Sequence, residues 1–582
     1  THREREALHG TPGRHPVHVT PGIPTQPSGA KRARTANGTA GASQALSGSM
    51  ARLGIFGWGV VAPNSSNIDS FARNLSSGES WLTAFDGFGP STFLVGNPEF
   101  DFNDYRNWID QRFPPSKFPQ LTQKMGCTTL YAVGAFIQAL EQNPGIEDTL
   151  KDLGPEAQVL IGSGVGDLPT QYNISVELHD AQRRWNRFWA SPEKNADREA
   201  YEKADETERA KLSGKWNVPP DPRPLPVDSF EREATYTNWD EFWMQRSESL
   251  QEYLAEFEAI ESMAIEGDID AGKLPLIRKK RGSLRRLQMK WGSPEAPWLS
   301  VSPNLIWNIV NTPASQISML GGLTGATYAP VAACSSFGVA LKVALQTINS
   351  GDAKAVVVGM SDPAPHPLLV GAFYRAHVAA ANGAPSLPLT NMRGTHISGG
   401  SVVWIVGDYD YMTAQGYKPL GLEILGIGVT SDARHIITPS KEGPLNAIRM
   451  AIDNADVSGQ RFGTWDLHAT ATPGDYQEVN TLREVFPNSL VVTARKGVFG
   501  HGMAASGGWE LTAQYLGLAN GKLDPTPLTA DTINPAIEEA PYEYVFDKAR
   551  EAPPGLAGKL SMGIGGVNAC VVSRLWDEPP AD

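Results

Sequence analysis

The chain has 582 residues, with 63 acidic and 50 basic side chains and a net charge of −13 with His neutral. At roughly 150 residues per domain this is too long for one small module, and its 41% hydrophobic composition excludes disorder throughout. No run approaches the ~18 apolar residues of a membrane span, and an acidic balance argues against a general nucleic-acid binder. Three cysteines (Cys127, Cys334, Cys570) cannot build a disulfide framework or a Cys₄ zinc site, so the expected setting is reducing and cytoplasmic.

In chain order, residues 1–49 are rich in Gly, Pro, Ser, Thr and Ala and lack apolar periodicity, which predicts a disordered extension. A strand-like run starts at Leu53. From there strand-like and helix-like segments alternate, the pattern of an α/β layered fold. Strands are expected at Gln158–Ile161 and Ala355–Val358, and a helix from about Ser335 to Ser350. Residues 169–300 change character: they are polar and charged and hold Trp185, Trp189, Trp216, Trp239, Trp243, Trp291 and Trp298. Leu250, Leu254, Phe257 and Ile260 stand at helical spacing, and Pro219–Pro226 breaks any helix. This predicts an inserted, mainly helical subdomain. Within it, residues 273–290 carry Lys273, Arg278, Lys279, Lys280, Arg281, Arg285, Arg286 and Lys290 and no acidic residue. Such a run either docks an acidic partner or pairs internally with the acidic stretch Glu248–Asp270.

An internal echo points to two related halves, 50–410 and 411–576, before a tail at 577–582. Leu53-Gly-Ile-Phe-Gly-Trp-Gly-Val60 parallels Leu422-Glu-Ile-Leu-Gly-Ile-Gly-Val429. Each half then has a helical stretch ending at a glycine, Gly351 and Gly521, as a left-handed helix terminus requires.

Three residues stand out chemically. Cys334 lies in Val331-Ala-Ala-Cys-Ser-Ser-Phe-Gly338, where a strand-like run gives way to a helix, and a helix N-terminus favours thiolate. Cys127 and Cys570 read as structural, each within a regular apolar element. His468 and His501 sit in Gly- and Ala-rich loops after strand-like runs. A cysteine with two placed imidazoles suits acyl-thioester chemistry. His366, His377 and His396 lack metal-ligand spacing, and no metal site is expected. Gly563-Ile-Gly-Gly-Val-Asn568 lacks the context of a dinucleotide site and reads as backbone shaping.

Together these motifs resemble the β-ketoacyl synthases of the thiolase fold, the elongating ketosynthases of fatty-acid and polyketide synthesis. The resemblance rests on Ala-Cys334-Ser-Ser, on His468 with Thr470 and Thr472, on Lys496 five residues before His501, and on the closing Gly563–Asn568 loop. Ser431–His435 with Pro439, and Glu510, match further. It covers about 50–168 and 300–576.

The resemblance implies an α-β-α-β-α layered fold and a decarboxylative Claisen condensation through an acyl-Cys334 intermediate. The N–H groups of Cys334 and Ile564 would form the oxyanion hole. His468 and His501 would stabilise the enolate, and Lys496 would organise charge around His501 and Glu510. Thr470 and Thr472 would hold a pantetheine arm, Ile564 and Met562 would line the acyl path, and Asp475 and Glu478 would support the histidine loop. No cofactor is required beyond the phosphopantetheine of the substrate's carrier protein or CoA. A homodimer is implied, or a heterodimer with a related subunit. The chain departs from the family pattern at Ala469 and Ala471, where glycines are usual, in a His468–Asp475 loop one residue short, in Gly399–Val402, and at Ile564 and Met562. The other readings are an acyltransferase or hydrolase using the same cysteine, and a non-catalytic partner subunit shaping a dimer pocket.

Overall fold

The computed structural model describes residues 51–89, 92–538 and 542–576. The extension 1–49 and the tail 577–582 lie outside them.

Eleven strands form the main sheet. They are β1 (Leu53–Val61), β2 (Ala157–Gly162), β3 (Thr327–Tyr328), β4 (Ala355–Asp362), β5 (Gly400–Asp408), β6 (Leu420–Ser431), β7 (Phe462–Asp466), β8 (Val491–Thr493), β9 (Glu543–Tyr544), β10 (Leu556–Gly563) and β11 (Val567–Arg574). Their spatial order is β9-β8-β7-β10-β11-β6-β1-β5-β4-β2-β3. Read outward from the centre, β1-β5-β4-β2-β3 and β6-β11-β10-β7-β8 follow the same chain ranking. The pairings also match: two antiparallel, then two parallel, in each half. The halves meet where β1 pairs antiparallel with β6, Leu53 opposite Ile424 and Ile55 opposite Leu420. The echoed segments are thus the two central strands.

Six helices repeat the duplication: α1 (Cys127–Glu141), α2 (Thr312–Gly321) and α3 (Ser336–Asn349), then α4 (Glu442–Ala455), α5 (Gly474–Leu482) and α6 (Ser506–Ala519). Helices α1 and α2 cover one half-sheet, α4 and α5 the other, and α3 and α6 lie between and touch strands of both. Three apolar cores fill the spaces. The middle one holds Phe337, Leu341, Trp404, Trp509 and Tyr515; the outer ones are built around Phe136 and Ile405, and around Ala447 and Trp465. This is the α-β-α-β-α layering.

The echo has a steric cause. A Cβ at Gly57 or Gly59 would come under 3.0 Å from the carbonyl oxygens of Ala139 or Ala135 in α1. A Cβ at Gly426 or Gly428 would do the same against Ala451 or Ala447 in α4. The paired glycines let each outer helix sit directly on its central strand. Gly351 and Gly521, at φ of 81° and 69°, follow α3 and α6 as expected.

Strand β4 runs past the expected Val358 to Asp362, because Ser361 Oγ donates to Thr128 O at 2.6 Å and so satisfies a buried polar end. Cys127 lies within a regular apolar element as expected, as the first residue of α1. The insertion is helical, with long helices at Leu168–Ala190, Phe230–Gln245, Glu248–Glu261 and Ile269–Trp291. It has its own cores, Trp185, Trp189, Leu250 and Tyr253 in one, Tyr201, Trp239 and Trp243 in the other. Pro219–Pro226 falls between helices, as predicted.

Gly59→Ala and Gly428→Ala must push a helix off its strand, and overpacking of this kind costs roughly 1–3 kcal/mol or more. Both are expected to lower the thermal midpoint, whereas Gly214→Ala, in a helix with nothing near the added Cβ, should leave it unchanged or raise it. Thermal melts of the three variants check this.

Candidate active site

The site gathers at the ends of strands from both halves. Cys334 ends a tight turn before α3, in which Ala333 adopts φ +49° and Ser336 Oγ accepts from Ala332 N at 2.8 Å. Ser335 Oγ reaches the carbonyls of Ser561 (3.0 Å) and Val567 (2.7 Å), fastening the turn to the β10–β11 loop. That loop needs its glycine at 563, where a Cβ would lie 2.8 Å from Ala332 O and 3.3 Å from Cys334 N. It brings the Ile564 N–H toward the Cys334 sulfur, which also faces its own N–H.

His468 follows β7 and His501 follows β8, and their rings meet edge to face with centroids 5.7 Å apart. Glu478 accepts from His468 N (2.7 Å) and Ala469 N (2.9 Å). Asp475 accepts from Leu389, Thr470, Ala471 and Thr472 N–H groups. Both carboxyls organise the loop as expected, and burial raises them, Asp475 to about 6 and Glu478 to about 7. Ala471 stands at φ +60°, so the position where the family has glycine is still left-handed. The backbone of His501 bridges Ile397, donating to His396 O at 2.7 Å and accepting from Ser398 N at 2.9 Å.

Cys334, His468, His501, Thr470, Thr472, Asp475, Met562 and Ile564 line one cavity of about 520 Å³. The two threonine hydroxyls are 3.0 Å apart. Phe373, Val378 and Thr395 close another wall, and the segment 432–439 crosses above. Asn568 donates to Asp432 at 2.7 Å and Gly565 N to Ile436 O at 2.7 Å, joining that segment to the β10–β11 loop.

One electrostatic expectation is corrected and another extended. The helix N-terminus does not make Cys334 a thiolate: burial pushes the thiol up to about 11, against the Ile564 N–H and the Lys496 charge. Lys496 pairs with Glu510 and acts by charge on His501 as expected, and it also contacts His468. Its Nζ donates to His468 O (2.7 Å) and Glu510 Oε1 (2.5 Å), and lies 3.5 Å from His468 Nδ1. Burial lowers its pKa despite the opposing pull of Glu510. Both imidazoles are held well below the ordinary histidine value, by burial first and then by Lys496, and are neutral. Cys127 and Cys570 are raised by burial as well, Cys127 to about 12 with Asp167 adding to the rise.

Two of the other histidines have structural partners. His366 caps its helix by accepting from Leu368 N (3.3 Å), and His396 accepts from Ser386 N (2.7 Å). No group of three potential metal ligands occurs among the described residues. Three buried charged neighbours of the cavity residues escaped the sequence reading. Asp362 accepts from Ser163 Oγ, Gly164 N and Ala504 N at 2.8 Å each. Arg495 pairs with Asp466 at 2.5 Å, both fully buried. Lys559, in β10, meets Glu510 at 2.9 Å. The signal for Lys559 was a lone charge in an otherwise apolar strand.

The chain is similar to several known proteins. The descriptions "Beta-ketoacyl synthase, N-terminal domain" and "Beta-ketoacyl synthase, C-terminal domain" match residues 285–406 and 422–529. The 3-oxoacyl-[acyl-carrier-protein] synthase 2 of Vibrio harveyi is 30% identical over 278 residues, 46% of this chain and 66% of that protein. The enzyme of the same name from Staphylococcus aureus (strain COL) is 28% identical over 289 residues, 48% and 68% respectively. The chain thus spans about two thirds of these relatives' lengths. Among solved structures, the ishigamide ketosynthase/chain length factor superposes with a TM-score of 0.61 at 18% identity, over 91% of this chain and 100% of that one. A β-ketoacyl synthase from Burkholderia phymatum STM815 gives 0.60 at 18%, over 90% and 100%. A further structure, "AntDE:AntF (apo): type II PKS acyl-carrier protein in complex with its ketosynthase bound to the hexaketide", gives 0.59 at 16%, over 90% and 99%. The fold is thiolase-like, and the chain belongs to the β-ketoacyl synthase family of the thiolase superfamily.

Because burial favours the neutral thiol, the thiolate of Cys334 grows only at high pH. Its alkylation by iodoacetamide is expected to rise about tenfold per unit from about pH 7 to pH 10 without levelling, past the ~8.5 of an ordinary cysteine. Mass-resolved alkylation rates check this, and a plateau below about pH 9 contradicts it.

Proposed function

We propose that this chain condenses an acyl thioester with a malonyl-type thioester, releasing CO₂, and so acts as an acyltransferase of the β-ketoacyl synthase kind. The observation that carries the reading is the single cavity joining Cys334, two neutral imidazoles and the Ile564 N–H. The protonated thiol enters and needs a base. A neutral imidazole takes its proton as sulfur attacks the acyl carbonyl, and the pantetheine thiol leaves with that proton. The Cys334 and Ile564 N–H groups receive the oxyanion. The extender carboxylate then leaves as CO₂, and its electron pair moves onto the thioester oxygen. His468 and His501 donate to this enolate, whose carbon attacks acyl-Cys334 and expels the thiolate. Neutral imidazoles donate without protonating the enolate, so the nucleophile survives to react.

The phosphopantetheine of a carrier protein or CoA supplies the thioester, and Thr470 and Thr472 are placed to hydrogen-bond its arm. We place the enzyme in the cytoplasm, where its three free thiols stay reduced. We also read it as a homodimer, because β3 is a sheet edge beside the exposed side chains of Tyr328 and Val331. Among the described residues, no helix is long and apolar enough to cross a membrane.

The test is intact-mass analysis with a panel of acyl thioesters followed by a malonyl-carrier chase. Wild type should acylate at Cys334 and then condense, and Cys334→Ala should form no adduct. His468→Ala and His501→Ala should still acylate but release CO₂ about 10²–10³-fold more slowly. An adduct on Cys334→Ala, or undiminished CO₂ release in both histidine variants, overturns the reading.

The insertion supports carrier docking. Lys290 pairs with Glu256 at 2.7 Å and Lys280 with Glu261 at 3.3 Å. Among the described residues, Arg278, Lys279, Arg281 and Arg285 form no ion pair, and all four are exposed. Internal pairing therefore accounts for only part of the basic run. Arg281 and Arg285 also rim a groove of about 400 Å³ floored by Ile277, Leu284 and Leu299. An acidic carrier would be steered there at low salt. Reversing Arg278, Lys279, Arg281 and Arg285 to Glu should raise KM for a carrier-borne substrate and spare acylation by a small thioester. An unchanged KM at low salt, in folded protein, removes the docking role.

A further inference from the structure

One buried carboxylate at the site serves two ammonium groups. Glu510 meets Lys496 through Oε1 at 2.5 Å and Lys559 through Oε2 at 2.9 Å. All three side chains are buried, at 3% exposure or less. The same two lysines cap consecutive carbonyls around the imidazole: Lys559 donates to Leu467 O at 3.3 Å and Lys496 to His468 O at 2.7 Å. Glu478 takes the N–H groups of the same two peptides, His468 at 2.7 Å and Ala469 at 2.9 Å. Every polar group of the peptide units flanking the His468 Cα is therefore held by a buried charged side chain. Neither peptide can rotate without leaving a buried group unpaired.

We propose that Lys559 is a positioning residue for His468: anchored on Glu510, it pins the Leu467–His468 peptide and keeps Lys496 against Nδ1, so that Nε2 presents its proton to the cavity. The role rests on the condensation reading. Lys496 can donate to Nδ1 only while Glu510 holds it from the far side, and Glu510 stays in place because its second oxygen is ion-paired with Lys559 at 2.9 Å. Lys559 also donates to Leu560 O at 2.6 Å, which ties the arrangement to β10, the strand that leads into Ile564. One lysine thus couples the imidazole donor to the strand bearing the oxyanion donor. With Lys559 lost, Leu467 O and one Glu510 oxygen lose their partner, and Glu510 can draw Lys496 away from the ring.

The test compares full-length wild type with Lys559→Met and Lys559→Arg, and with Lys559→Gln should the methionine variant not fold. Imidazole ¹⁵N spectra, assigned with His468→Ala, report the tautomer of His468 without substrate. The wild type should show one Nε2–H form, and the methionine variant a mixture. CO₂ release from malonyl-carrier should fall roughly 10- to 100-fold, the scale of a misplaced catalytic group. Its acid limb should move to higher pH, since Lys559 helps depress His468. Cys334 acylation should stay near wild type, and arginine should restore most of the rate. Unchanged His468 signals, or a CO₂ release rate and pH profile equal to wild type, overturn the proposal. A wild type that neither acylates nor releases CO₂ sinks the condensation reading instead, and the spectra still decide the role of Lys559.

Discussion

The architecture depends on how closely two helices approach two central strands. Bare glycines at 57 and 59 and at 426 and 428 let α1 and α4 lie against β1 and β6. Because β1 and β6 pair with each other, this contact also fixes how the two half-sheets face across the middle layer. The helices of that layer, α3 and α6, occupy equivalent places in the two halves. The turn before α3 carries Cys334 and the segment before α6 carries His501. Duplication therefore delivers a thiol and an imidazole to one place without any local sequence device joining them. The remaining parts come from loops that differ between the halves: β7 to α5 gives His468, and β10 to β11 gives Ile564.

Charge burial is the second constraint. Asp466, Arg495, Lys496, Glu510 and Lys559 are all within 3% of full burial, and a buried charge costs several kcal/mol unless it is paired. Each has a partner: Arg495 with Asp466, and both lysines with Glu510. The consequence for the imidazoles follows from the same physics. With two ammonium groups nearby and little water, a third positive charge is disfavoured, and both rings remain neutral. Neutral donors suit an enolate that must be stabilised yet left basic enough to attack. The buried cations thus depress the pKa of both rings.

The sequence carried the chemistry better than the electrostatics. Cys334, His468, His501, Thr470, Thr472 and Ile564 were legible because fixed motifs at fixed spacings encode loops whose backbone shape needs those residues. The echo at Leu53 and Leu422 was legible for the same reason, since its glycines meet helix backbone. What failed depended on burial, which no local pattern states. The dipole argument gave Cys334 the wrong sign because desolvation outweighs a helix start. Lys496 was read with Glu510 and His501, and its contact with His468 was missed because the fold turns its ammonium toward that ring. Lys559 and Arg495 look like ordinary charges until a strand and a turn carry them inside.

The insertion fits the duplication in a telling way. It occupies the connection from β2 to α2, the counterpart of the short β7–α5 loop that bears His468. The half that carries Cys334 thus contributes no loop to the cavity there, which leaves that connection free to grow. Growth demands that the root stay fixed, and polar contacts supply this. Asp167 accepts from Thr128 N and Thr170 N, joining the start of α1 to the first inserted helix. At the other end, Asn308 donates to Lys124 O and accepts from Gly126 N. The root also reaches the site. Asp362 takes Ser163, Gly164 and Val165 on one oxygen and the Ala504 N–H on the other. Ala504 follows His501 by three residues, at the entrance to α6. A single buried carboxylate therefore ties the segment from which the subdomain springs to the segment that presents an imidazole, so the insertion is built onto the framework of the site and not merely hung from its surface.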